Sequence, residues 1–177
     1  MTPDQICSFW REAGPRSWFA KDEDFDAACR DYEAAHHAAA RGELDSWAET
    51  AEGALALILL LDQFPRNLYR GSAHAFATDA LARRFADQAV VRGFDQDFPP
   101  DLRAFFYLPF EHSEAAADQA RSLALFEALG DENYFKFAKL HADIITRFGR
   151  FPHRNACLGR ETSAAESAFL AEGGFSG

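Results

Sequence analysis

The sequence predicts an all-α protein, a stack of antiparallel helix pairs comprising about seven to nine helices. Three observations carry this. Apolar residues recur every three or four positions, capping residues and glycines punctuate those runs at helical lengths, and no segment alternates with the two-residue period of a strand. With 177 residues, 48% of them hydrophobic, a single domain spanning 1–177 is expected.

Thr2, Pro3 and Gln5 form a capping box with proline at the first helical position, opening a helix that stops by Gly14-Pro15. Asp22, Glu23 and Asp24 place negative charge at the start of a second helix. Its face runs Phe25, Cys29, Tyr32 and His36, and Gly42 is its terminator. Ser46 and Glu49 read as a second capping box for the third helix. There Leu55, Ile58, Leu59 and Asp62 share one stripe, and Leu57, Leu60 and Leu61 cover the other side, so this helix should be buried. A fourth is expected from about Ser72 to Arg92, followed by a proline-rich loop at 95–100. Pro109 should separate helices around Asp101–Leu108 and His112–Leu129. Asp131 starts a helix with the stripe Tyr134, Phe137, Ala138, His141, Ile144, Ile145 and Phe148, ended by Gly149. The Ser163/Glu166 box opens the last, which fades at Gly173-Gly174.

Composition excludes several classes. The longest apolar run, Ala54 to Leu61, is far short of the ~20 residues of a membrane span, and the N-terminus lacks a signal-peptide pattern. Cys7, Cys29 and Cys157 have no disulfide or zinc spacing, so a reducing cytoplasm is the expected compartment and no cofactor is implied. A net charge of −10 makes nucleic acid a poor partner.

The positive charge is unusual in kind and in place. Of 18 cationic residues, all but Lys21, Lys136 and Lys139 are arginine, the planar fork suited to carboxylates, phosphates and buried ion pairs. Phe64-Pro65-Arg66-Asn67-Leu68-Tyr69-Arg70-Gly71 is echoed by Phe151-Pro152-His153-Arg154-Asn155-Ala156-Cys157-Leu158-Gly159-Arg160. Each places Phe-Pro, then Arg-Asn, then a Gly/Arg pair after an apolar helix, which suggests a helix-pair duplication with copies ending near 64–71 and 151–160. Neither 63–74 nor 147–160 contains an acid, so the rest of the chain is more acidic than its net charge suggests.

The same residues carry a family resemblance. Phe9-Trp10, Trp18-Phe19 with Lys21-Asp22 and Phe25-Asp26, Leu60 to Asn67, Pro109-Phe110 with His112-Ser113-Glu114, and Arg147 to Asn155 with Leu158-Gly159-Arg160 resemble an uncharacterised bacterial family, domain of unknown function 924. The resemblance runs from about Phe9 to Leu170 and implies a tetratricopeptide-like right-handed superhelix. It implies no activity.

Candidate chemistry follows from the residues. Gln63, Arg66, Asn67, Arg70, Arg147, Arg150, Arg154, Asn155 and Arg160 are candidate ligand contacts, able to grip a small anion or an acidic peptide, or else to lock helix pairs through carboxylates. His112, Glu114, His153 and Asp62 are candidates for proton transfer to a phosphate- or carboxylate-bearing substrate. Asp62, at a helix C-terminus, calls for a compensating cation from Arg66, Arg150 or Arg154. His141, on an aromatic stripe, reads as a hydrogen-bonded core residue, and no metal site is assigned. The leading expectation is a binding protein, with an enzyme or a purely structural polar network as alternatives.

Overall fold

The computed structural model describes residues 1–175, and every regular element among them is helical. The order is α1 (Pro3–Ala13), α2 (Pro15–Trp18), α3 (Glu23–Cys29), α4 (Glu33–Ala40), α5 (Ala51–Ile58), α6 (Phe64–Leu68), α7 (Asp79–Val91), α8 (Pro100–Glu111), α9 (Ala116–Leu129), α10 (Glu132–Phe148) and α11 (Ala164–Ala171). Short 3-10 turns join several of them, and a π-helical segment, Leu59–Gln63, links α5 to α6. None of these helices is long and apolar enough to cross a membrane.

The chain forms two compact units. The first holds Met1–Arg70 and His74–Pro109; the second holds Gly71–Ala73 and the chain from Phe110 on. In the first, α5 is buried from Gly53 to Ile58 and packs against α1 and α7. Trp10 anchors its aromatic core, with ring centroids 5.3 Å from Phe64, 5.6 Å from Phe25 and 5.6 Å from Phe105. Each such pair adds about 0.5–1.5 kcal/mol beyond area burial. In the second unit, α9 and α10 form a helical hairpin, turned by Gly130 at φ 77° and reopened by Asp131, whose side chain accepts from the Asn133 and Tyr134 amides. Ile144, Ile145 and Phe151 form an apolar cluster with Phe148, Phe169 and Phe175.

Several elements depart from their sequence pattern: a 3-10 turn at Arg30–Tyr32 divides the second helix into α3 and α4, and the helix expected from His112 begins at Ala116. Thr50, not Ser46, caps α5: its side chain accepts from the Gly53 amide at 3.1 Å, while Asp45–Glu49 is a 3-10 turn. Gly53 permits this, because a Cβ there would lie 2.0 Å from the Trp47 carbonyl oxygen. The fourth helix begins at Asp79 rather than Ser72, after a 3-10 turn at Ala73–Phe76. Residues 95–100 hold part of a 3-10 turn, Phe94–Asp97, and the first residue of α8. Pro109 does not break its helix, and α8 runs through it to Glu111. Phe105, Phe106, Leu108 and Phe110 are all buried around it, and that burial outweighs one lost amide donor.

Candidate functional site

In the first unit the π segment organises the polar residues. Pro65 has no amide proton, so the helical ladder is short of a donor where it passes from the π segment into α6. Side chains supply donors along the segment. The carbonyls of Leu60, Leu61, Asp62 and Gln63 are met by His36 Nδ1, Thr78 Oγ1, Arg66 Nη1 and Asn67 Nδ2 respectively. Asp62 is fully buried; its Oδ2 accepts from Gln63 Nε2 at 2.6 Å, and Arg66 Nη1 lies 3.3 Å from Oδ1. The compensating cation is therefore Arg66, which also makes a bidentate pair with Asp79 at 2.9 and 3.1 Å.

The two echoed motifs reach one local design by different backbones. Phe64 is helical at φ −55°, ψ −42°, whereas Phe151 is extended at φ −89°, ψ 109°. Yet Arg70 pairs bidentately with Asp26 and donates to Asn67 Oδ1, as Arg160 pairs bidentately with Glu114 and donates to Asn155 Oδ1. Both motif glycines have positive φ, Gly71 at 79° and Gly159 at 65°. Each motif finds these partners within its own unit.

In the second unit the arginines divide by role. Arg150 holds Glu166 through Nε at 2.6 Å and Nη2 at 2.9 Å, and its Nη2 also donates to the Glu161 carbonyl. That pair, with the Ser163 amide, drives the Glu166 carboxyl far below the usual carboxylate range. Burial works to raise the Glu114 carboxyl, but bonds from Arg160 and from the Phe151 amide outweigh it and leave it below its ordinary value. Buried Arg154 lies over the Phe151 ring at 4.5 Å, and Arg147 lies over Phe148 and Phe169. Arg150, Arg160, Glu161, Thr162 and Ser163 line an open depression of about 550 Å³ at the start of α11.

Behind Arg154 lies a group of imidazoles. His141 is buried, with Nδ1 2.9 Å from the Phe137 carbonyl and 3.2 Å from Glu111 Oε1. Between ring centroids, His141 lies 6.4 Å from His112 and 5.4 Å from Phe151, and His153 lies 5.7 Å from Phe151. Burial pushes the His141 imidazole down to about 3, so it is neutral at physiological pH. Ser113 Oγ donates to Asp118 at 2.6 Å and accepts from the Ala115 amide, a turn-forming role. Among the described residues, no group of three or more His, Cys, Asp and Glu is arranged to hold a metal.

The sequence motifs do not point to Glu111 as the partner of His141, nor to Glu166 as the partner of Arg150. They also pass over a first-unit cluster around Tyr69, whose hydroxyl donates to Glu33 at 2.8 Å and meets His37 Nε2 at 3.0 Å, with the His74 ring 4.7 Å away. Burial and Glu33 push that phenol up to about 12. The only hint in the sequence is the pair His36-His37 on a helix.

Fold and site together define an all-helical protein whose motif arginines form bidentate pairs with carboxylates, most of them partly exposed. The family model for bacterial proteins of unknown function, DUF924, matches residues 6–174, and the chain belongs to that family. A solved structure, that of the protein of unknown function ATU0120 from Agrobacterium tumefaciens, is 54% identical with a TM-score of 0.93, covering 96% of this chain and 97% of that one. None of the curated proteins matches.

Proposed function

We propose that the protein is a binding module for a small oxyanion, taken up in the depression at the start of α11. The observation that carries this is the lining of that depression: Arg150 and Arg160 beside the hydroxyl residues Thr162 and Ser163. Glu166 and Glu114 already balance both guanidinium charges, so the attraction comes from donors those pairs leave unspent. Arg150 Nη1 makes no hydrogen bond among the described residues, and α11 directs the positive end of its dipole to the same turn. Tetratricopeptide-like stacks present binding surfaces of this kind, and the three free thiols fit a cytoplasmic protein.

The test is thermal unfolding and calorimetric titration with inorganic phosphate, sulfate, simple carboxylates and an acidic peptide. A saturable response to an oxyanion is expected, worth about 2.7 kcal/mol at one hundred times the dissociation constant. Arg150→Lys keeps a cation beside Glu166 but loses the fork and its spare donors, and should abolish the response in a folded protein. A flat response in the wild type overturns the reading, and a response to the peptide alone moves it to a protein partner.

A further inference from the structure

We propose that Gly173–Phe175 is a strap that closes the second unit's imidazole cluster to solvent and can lift without unfolding the helices beneath it. The strap is built by two glycines in different ways. Gly173, at φ +83°, lets the chain reverse after α11, where its amide donates to the Leu170 carbonyl at 3.3 Å. Gly174 then passes over Phe169 so closely that a Cβ would lie 2.5 Å from the Phe169 carbonyl oxygen and 2.6 Å from two of its ring carbons. Phe169 has little room to yield, being packed against Phe148 at 5.2 Å with the Arg147 guanidinium 5.5 Å from its ring.

This path delivers the Phe175 ring edge-on to His141 at 4.6 Å and to His153 at 5.3 Å. His141, Glu111, Phe151 and Arg154 are buried beneath it, with His112 and His153 partly exposed at the margin. Among the described residues the backbone bonds of the strap are local, from Gly173 and Gly174 back to the last turn of α11, so lifting it breaks no helix-to-helix hydrogen bond there. What it would uncover is a neutral imidazole beside the Glu111 side chain.

Diethyl pyrocarbonate, which carbethoxylates neutral imidazoles that solvent can reach, tests this residue by residue when read by mass spectrometry. In the wild type, exposed His74 should react quickly and His141 slowly. Phe175→Ala removes the cover, and Gly174→Ala pushes the strap off Phe169 while keeping the ring. Several-fold faster modification of His141 and His153 in either variant, with buried His36 unchanged, bears the strap out. No acceleration in both variants overturns it, as does a matching rise at His36, which would report general loosening.

Discussion

Arg160 spends its guanidinium on Glu114, on Asn155 and on the Phe151 carbonyl, and Arg66 divides its own between Asp62 and Asp79. Removing Arg66 would strand the fully buried Asp62, which typically costs about 3–5 kcal/mol, whereas the partly exposed Arg160–Glu114 pair is screened by solvent and contributes less. The imidazoles give a pH signature instead. Burial lowers both His141, to about 3, and His36. In the unfolded chain each takes a proton near 6.5, whereas the folded protein resists it, so the unfolded state binds more protons as pH falls. Stability should therefore decline from about pH 6.5 downward, by up to about 1.4 kcal/mol per unit for each such group. Urea unfolding between about pH 7 and 5, above the range where the carboxylates titrate, should show this slope in the wild type and a shallower one in His141→Gln. The arginines were legible as acid-free runs, and Arg66 as a cation for Asp62, but most of their other partners were not. Asp79, Glu166 and Asp26 lie 13, 16 and 44 residues from the arginines they hold, in no periodic relation to them.

At the scale of elements, caps explain what could be read. Thr2 with Gln5, Asp22, Asp131, and Ser163 with Glu166 all bond within their own first turn, so sequence alone contains cause and effect. Ser46 and Glu49 satisfy the same pattern, yet their segment is a 3-10 turn whose Trp47 carbonyl rests on Gly53. Thr50→Ala should accordingly cost about 1 kcal/mol and Ser46→Ala less than about 0.5, as denaturant midpoints will show. The π segment could not be read, because its carbonyls are satisfied partly by residues as distant in sequence as His36 and Thr78. Pro109 misleads for a related reason: its local cost is visible in the sequence, while the burial that offsets it is not.

For the whole molecule, the net charge of −10 matters more than any exposed pair. Bidentate bonds to specific carboxylates occupy Arg66, Arg70, Arg150 and Arg160, which leaves the remaining acids to repel one another through solvent. Sodium chloride screens that repulsion, with a Debye length of about 10 Å at 0.1 M, but acts less on pairs that are partly buried. The melting temperature should rise as salt is added up to a few tenths molar, measured by calorimetry in a non-coordinating buffer. A fall would mean that exposed ion pairs outweigh the repulsion.

The π segment also sets how this helix tolerates change. Leu59–Gln63 winds with a wider turn than an α-helix, so it holds a residue that a regular turn would not need. Deleting one residue there would let the segment rewind as a regular turn with Phe64 and Arg66 kept near their present phase, whereas the same deletion within α5 would swing everything after it by about 100°, carrying Phe64 away from Trp10. A conservative substitution leaves that phase intact. This stretch absorbs a change in residue count that a regular turn would pass on to everything after it.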